Sequence, residues 1–195
     1  MNLRSHAAKL DFSDTLRTLS EIVLKKKKGR ENMLKVSDYI DVKKKAEELG
    51  CNIPTSIALL PRNYELAVTK EDLIHESTTS TVRILWRQNN VIETPLEQSG
   101  EKFPCIFEHA FEWIGPTIFI SAMLLSQNPH LVTITLNVIS NHLTEWFRGI
   151  PRDSRKSKLC IVTETKSGHY KKIEYEGPPD GLKDLPEIIR EVNNE

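Results

Sequence analysis

Several features are scarce or missing in this 195-residue chain, and each absence argues against a class of protein. Net charge is zero, because 27 Lys and Arg residues balance 27 Asp and Glu residues, so no overall field attracts nucleic acid or an anionic membrane. Cys51, Cys105 and Cys160 include no CxxC pair, which disfavours a disulfide framework or a zinc ribbon. The sequence also lacks the GxxxxGK[ST], GxGxxG and GxSxG motifs of NTPases, Rossmann enzymes and α/β-hydrolases.

Targeting signals are missing as well. The first residues include no apolar stretch typical of a signal peptide, and there is no Asn-x-Ser/Thr sequon and no lipidation motif. A hydrophobic content of 38% is enough to bury a core. We therefore expect a cytoplasmic protein that folds without disulfides, and no motif indicates a cofactor.

The densest apolar stretch runs from residue 113 to 149 and predicts a helical hairpin. Pro116 is suited to a first helical turn, and Pro129 disfavours helical geometry at Asn128, so a first helix should end there. Asn128 then caps a second helix, which Gly149 terminates. Apolar residues of the second helix recur at intervals of three and four: Leu131, Ile134, Val138, Ile139, Leu143, Trp146 and Phe147.

This hairpin is predicted to pack against protein. A membrane-spanning helix needs roughly 20 apolar residues, and Gln127, Asn128 and His130 interrupt the run where a span would have its middle. Contact with a membrane is the alternative. The residues expected to form a core or an interface with a partner or a second copy are Ile118, Phe119, Met123, Leu131, Ile134, Val138, Trp146 and Phe147.

The N-terminal half predicts a mixed set of short elements. An amphipathic helix should begin near Asp11 and end in the basic run at 25–30, and a strand at 34–36 should be followed by a helix that Asp41 caps and Gly50 ends. Residues 57–60 form a short apolar run typical of a buried strand. Polar, turn-forming residues at 89–104 predict a surface loop or a domain boundary.

The C-terminal segment predicts two strands and a helix. Apolar and polar residues alternate over 159–164 and 170–175 around a turn at 166–168, and an amphipathic helix follows over 182–192. The predicted fold class is therefore α+β, with a central helical hairpin, a mixed N-terminal region and a C-terminal ββα unit. The corresponding segments are an N-terminal helix and basic linker at 1–32, a mixed region at 33–103, the hairpin at 104–150 and the ββα tail at 151–195.

A second functional interpretation involves DNA. Thr69 and Asp72 form a capping-box-like start, and the segment STTSTVRILWRQ looks like the recognition helix of bacterial helix-turn-helix regulators. Thr81, Arg83 and Arg87 would then contact phosphates and bases. The usual glycine of the turn is missing and the two helices would be unusually close, so DNA binding is the alternative and not the leading hypothesis.

Enzyme chemistry is not expected. His109 and Glu112, and likewise His142 and Glu145, are spaced to share one helix face, but no closely spaced third ligand is available for a metal. Arg62 and Asn63 follow the predicted buried strand, where they form either a ligand site or hydrogen bonds that anchor a loop.

The order of elements at the C-terminus also carries a family resemblance. The helix end LTEWFRG, the strands KLCIVTET and YKKIEYEG, and the helix LKDLPEIIREV together resemble the effector-associated constant component domains of bacterial conflict systems. The resemblance implies an interaction domain that couples effectors to other components. We therefore expect a cytosolic bacterial interaction or adaptor protein of a conflict or immune system, with a membrane-acting effector as a further alternative.

Overall fold

A five-stranded mixed β-sheet forms the centre of the computed structural model, which describes residues 33–106, 112–151 and 154–194. The strands are β1 (Met33–Asp38), β2 (Ile57–Leu60), β3 (Trp113–Ile120), β4 (Ser157–Glu164) and β5 (Tyr170–Gly177). Their order across the sheet is β1-β5-β4-β3-β2, in which the β3–β4 pair is parallel and the other three pairs are antiparallel.

Five α-helices accompany the sheet within these described residues: α1 (Val42–Glu48), α2 (Thr79–Gln88), α3 (Ala122–Gln127), α4 (Pro129–Trp146) and α5 (Leu185–Asn193). The α+β class is therefore confirmed. The helix predicted near Asp11 and the basic run at 25–30 lie outside the described residues, and so does His109.

Separate hydrophobic cores cover the two faces of the sheet. The larger core joins one strand face to α2, α3, α4 and α5, and its fully buried members include Ile118, Ile161, Ile173, Leu136, Ile139, Leu143 and Ile189. The smaller core joins the opposite face to α1 and to the loops around it, through residues such as Phe119, Val162, Val42, Ala46, Tyr64 and Leu96. Because both faces of β3 are covered, its apolar residues are continuous and do not alternate with polar ones.

The apolar stretch after Trp113 is a strand, and the prediction of a helix beginning near Pro116 is wrong. A fully buried strand and a buried helix have the same continuous apolar pattern, so hydrophobicity does not distinguish them. Pro116 is tolerated because it lies at an irregularity in the β3–β4 register, between Ile114 and Thr117, and beyond the part of β3 that pairs with β2. The helix α3 begins only after Ser121, whose side chain caps it.

The predicted break between two helices at Asn128 is confirmed. Asn128 Oδ1 accepts a hydrogen bond from the Leu131 backbone N–H at 3.2 Å, and α4 starts at Pro129. The helix ends at the C-cap Phe147, two residues before the glycine expected there. Gly149 has a φ of +84°, which turns the chain away from the helix.

The N-terminal strand and helix follow their predicted signals closely. Asp41 caps α1 by accepting a hydrogen bond from the Lys44 backbone N–H at 3.0 Å. Gly50 follows the helix with a φ of +65°, a conformation that glycine adopts without strain. The apolar run at 57–60 is the edge strand β2, and all four of its residues are buried.

The C-terminal strands and helix occur in the predicted order, but they do not form a unit separate from the rest. β4 and β5 form an antiparallel hairpin that lies inside the sheet, between β3 on one side and β1 on the other. A 3₁₀ turn at Pro179–Asp184 precedes α5, so the helix begins three residues later than the predicted start at 182. Among the described helices, none has the length and apolar content that crossing a membrane requires.

Candidate functional site

A cavity of about 200 Å³ lies where the start of α2, the start of β3 and the end of α4 meet. Thr78 Oγ1 donates a hydrogen bond of 2.6 Å to the Ile114 carbonyl oxygen and thereby joins α2 to β3 at the cavity wall. The described lining residues are Glu76, Ser77, Thr78 and Thr81 near α2, Glu112, Trp113 and Ile114 near β3, and His142 and Trp146 on α4.

The described wall of the cavity is negatively charged. Glu76 and Glu112 line it, and the described lining includes no Lys or Arg. A hydrogen bond from the Lys158 ammonium, with Nζ 3.0 Å from Glu112 Oε2, keeps the pKa of Glu112 below its ordinary value, so this carboxylate is ionised at neutral pH. Arg62 Nε lies 3.5 Å from Glu76 Oε1, and Arg62 is not among the described lining residues.

Two indole rings contribute to the same wall and differ in exposure. Trp113 is 5% exposed and belongs to the larger core, which fixes its position. Trp146 is 47% exposed, and its ring packs edge-on against buried Phe147 with centroids 4.6 Å apart. One rigid and one accessible aromatic surface therefore border the cavity.

A buried ion network lies on the side of α2 that faces the 89–104 loop. Arg83 Nε is 2.7 Å from Glu93 Oε1, and Arg83 Nη2 donates to Glu97 at 2.8 Å. His75 Nε2 is 3.0 Å from Glu97 Oε1, and Glu97 is 6% exposed. Burial on its own would raise the pKa of Glu97, but the hydrogen bond with His75 and the nearby guanidinium lower it from 4.5 to about 2.

This network changes the interpretation of the residues predicted to bind DNA. Arg83 is committed to two carboxylates and does not present a free guanidinium to a phosphate. Thr81 and Arg87 are exposed, and Thr81 lines the cavity. In place of the predicted first helix there is a 3₁₀ turn at Lys70–Asp72, with the capping box formed by Thr69 as expected, so the described segment has no pair of α-helices of the helix-turn-helix type.

The eight predicted interface residues divide into three groups. Ile118, Phe119 and Phe147 are fully buried inside the chain and therefore belong to its core and not to an interface surface. Leu131 and Val138 are half-buried along α4. Exposure is substantial at the remaining three positions: Met123 is 49%, Ile134 is 45% and Trp146 is 47% exposed.

Up to Thr144, α3 and α4 contribute no Asp, Glu, Lys or Arg to the surface around these exposed residues. Arg190 of α5 borders this surface, with Nη2 3.4 Å from Thr133 Oγ1. Residues 113–144 contain no Asp, Glu, Lys or Arg, although 28% of the whole chain is charged. The 18-residue helix α4 has a single charged residue, Glu145, near its end. Before Glu145, the exposed positions of α3 and α4 include no Asp, Glu, Lys or Arg: Met123, Ser126, Gln127, His130, Ile134, Asn141 and Thr144.

The other candidate residues have structural roles. Asn63 accepts a hydrogen bond from the Ile74 backbone N–H at 3.0 Å and donates one to the Asp72 carbonyl at 2.7 Å, so it anchors the loop after β2. Glu145 pairs with Arg148 at the end of α4. Within the described ranges, no group of three His, Cys, Asp or Glu residues is placed to hold a metal ion.

Sequence reasoning did not predict the cavity, because its walls come from three segments that are distant along the chain. In the sequence, the Thr-rich start of α2 is a signal for a functional site, but its pattern indicates contact with DNA and not the wall of a cavity. The missing charge at 113–144 is visible in the sequence, but the outward and buried positions are distinguished only by the fold. No family model, curated protein sequence or solved structure matches this chain.

Proposed function

We propose that this protein is a protein-interaction module that pairs with a second copy of itself through the outward face of α3 and α4. The observation that carries this proposal is that α3, and α4 up to Thr144, place no Asp, Glu, Lys or Arg on a solvent-facing surface, with Arg190 of α5 at its border. Exposed helix faces of soluble proteins are ordinarily lined with charged side chains, whereas the centres of protein interfaces are depleted in them. Burying Met123 and Ile134 against protein removes apolar side chains from water, and α3 and α4 bring no charge of their own to the centre of that contact.

A second copy suits this surface because the two faces of a symmetric pair are identical. In a two-fold interface each residue lies close to its own counterpart or to residues near it, so a charged face opposes like charges. The outward positions of α3, and of α4 up to Thr144, avoid this repulsion because none of them is Asp, Glu, Lys or Arg. A paired face of this kind also leaves the side of the sheet that carries α1 available for other partners, as in an adaptor.

The resemblance to effector-associated domains supports the same class of function without defining the partner. It implies an interaction role in a bacterial conflict system, and this assignment stays a prediction. The helix-turn-helix alternative has lost its main cation, because Arg83 is paired inside the chain. The membrane alternative would use the same exposed residues, so the test of the proposal must separate the two.

The test measures the molar mass of the full chain in solution over a range of concentrations, by light scattering or sedimentation equilibrium. Replacing Ile134 with Glu places two like charges in a symmetric interface and is expected to weaken the pair roughly tenfold or more. Leu66→Glu is the matched control, because Leu66 is 81% exposed on a loop next to the smaller core, away from α4.

Circular dichroism must show that both variants keep the wild-type fold. A monomer at every concentration, or equal weakening by Ile134→Glu and Leu66→Glu, would overturn the proposal. If the wild-type chain floats with anionic vesicles and Ile134→Glu does not, the surface binds a membrane and the membrane alternative replaces the proposal.

A further inference from the structure

We infer that the cavity at the start of α2 binds one organic cation, an ammonium or a guanidinium group. This site is distinct from the pairing surface, and the inference holds whether or not the chain pairs with itself. The argument uses the charge of the wall, the size of the cavity and the two indole rings that border it.

Charge selects a cation over an anion. Glu76 and Glu112 bring two negative charges to a described wall that has no Lys or Arg. The start of α2 also faces this cavity, and the first turn of a helix has about half a positive charge, which would favour an anion on its own. The cations that pair with these carboxylates, Arg62 and Lys158, are not among the described lining residues, so the described wall itself presents carboxylate oxygens and no Lys or Arg. Ionised Glu112 would repel a phosphate or carboxylate and attract an ammonium group.

The cations already present in the chain do not fill the cavity. Lys158 and Lys156 approach Glu112 at 3.0 Å and 3.8 Å, and Arg62 Nε lies 3.5 Å from Glu76 Oε1. None of these three cations is among the described residues that line the cavity. Both lysines are 42% or more exposed, and ion pairs at such exposed positions contribute little to stability. Glu112 can therefore share its carboxylate with an incoming cation at little cost.

The polar wall offers acceptors as well as charge. Thr78 donates its hydroxyl hydrogen to the Ile114 carbonyl, and this leaves the oxygen lone pairs to accept a hydrogen bond from a ligand. Ser77 and Thr81 add two further hydroxyl groups. Ammonium and guanidinium groups are donors only, so a wall that presents acceptors matches them.

Size and aromatic surface narrow the ligand further. Sites for drug-sized molecules measure about 300–1,000 Å³, so a volume near 200 Å³ suits the end of one side chain or a small amine. A cation over an indole ring is attracted by the negative face of the ring, and Trp146 remains accessible while Trp113 is fixed by the core. The ligand is therefore a Lys or Arg side chain of another protein, or a free small amine.

The experiment titrates the full-length chain with blocked lysine and blocked arginine, each carrying an N-acetyl and a methylamide group. Binding is followed through the indole N–H resonances of the three tryptophans. Trp113 and Trp146 should shift, and Trp86 should not, because it is 1% exposed and does not line the cavity. Blocked norleucine is the neutral probe of similar size, and n-butylamine is the free amine.

Removing a carboxylate from the wall should weaken binding of blocked lysine. Glu112→Gln and Glu76→Gln should each raise the dissociation constant roughly tenfold, since a hydrogen bond to a charged group is worth about 1.5–3 kcal/mol. Glu145→Gln is the matched control, because Glu145 is on α4 close to the cavity and does not line it. It should bind like the wild type.

The two possible sources of the cation give different results, and both support the inference. Tighter binding of blocked lysine or arginine than of n-butylamine indicates a protein side chain, and the reverse order indicates a free amine. Equal shifts with blocked norleucine, binding of inorganic phosphate at this site, or unchanged affinity in both Glu→Gln variants would overturn it. The titration is repeated with Ile134→Glu, which should weaken pairing of two chains and leave the affinity for blocked lysine unchanged. A failure of the pairing proposal is thereby distinguished from a failure of this inference.

Discussion

The buried ion network gives the most quantitative prediction, because the charge of Glu97 should control stability in acid. Its pKa falls from an ordinary 4.5 in the unfolded chain to about 2 in the folded chain. Between these two values, the folded chain therefore binds fewer protons at Glu97 than the unfolded chain does. A difference of about 2.5 pKa units corresponds to roughly 3 kcal/mol of stability at pH 7. This contribution is present above the unfolded value near 4.5, and it declines as the pH falls toward 2.

The variant Glu97→Gln isolates this contribution from that of the other carboxylates. It removes the charge that pairs with Arg83 and His75, so the folded chain should lose about 3 kcal/mol or more at pH 7. Between pH 7 and pH 3, the gap in unfolding free energy between wild type and variant should narrow by about 2 kcal/mol. Urea unfolding, followed by circular dichroism at several pH values, measures the gap directly.

Glu93 in the same network provides a control, because its pKa is shifted in the opposite direction to that of Glu97. Burial raises the pKa of Glu93 despite the neighbouring Arg83, so its ionised form is less favourable in the folded chain than in the unfolded one. Glu93→Gln should therefore cost less at pH 7 than Glu97→Gln, and its gap to the wild type should not narrow in acid. A gap for Glu97→Gln that stays constant from pH 7 to pH 3 would refute the assignment.

Three further predictions concern packing, capping and thiol reactivity. Gly115→Ala should destabilise the chain by about 1–3 kcal/mol in urea unfolding, because the new Cβ would lie 2.5 Å from the Trp113 ring and 2.8 Å from Leu159 Cδ1. Asn128→Ala should lower the unfolding free energy by about 0.5–2 kcal/mol through loss of the α4 cap, whereas a cost equal to that of Asn141→Ala would show that the cap contributes nothing. Burial raises the pKa of Cys160 to about 11, so iodoacetamide at pH 8 should label this thiol slowly in the folded chain and rapidly in urea. Mass spectrometry measures both labelling rates, and equal rates would contradict the prediction.

Local signals in the sequence were sufficient for elements whose ends are marked by side chains. The caps at Asp41 and Asn128 and the turn around Gly168 each act within a few residues, so they were predictable without knowledge of the fold. The strand β3 was not predictable in this way. It is a strand because β4 and β2 pair with it on either side, and these partners come from distant parts of the chain.

The cavity and the ion network depend on the same kind of distant pairing. Glu97 lies in a loop whose composition indicated only a polar surface segment, yet it is buried because Arg83 pairs with its carboxylate and His75 forms a hydrogen bond with it. Nothing in the spacing of these three residues along the sequence indicates that they meet. A polar residue in a turn-rich segment is usually solvated, and only the tertiary structure identifies the exception.

The missing charge at 113–144 is the feature that the chain's own fold explains only in part. Burial accounts for it in β3, but Asn141 lies on the exposed side of α4, where a lysine would be solvated and is a better helix former than asparagine. Asn141→Lys should therefore leave the unfolding free energy unchanged or slightly higher, and yet weaken self-association roughly tenfold, because each copy would bring a positive charge to the shared surface. Sedimentation and urea unfolding of the same preparation measure both quantities. A variant that associates like the wild type would mean that this surface faces water in the working protein, and pairing through α3 and α4 would then be wrong.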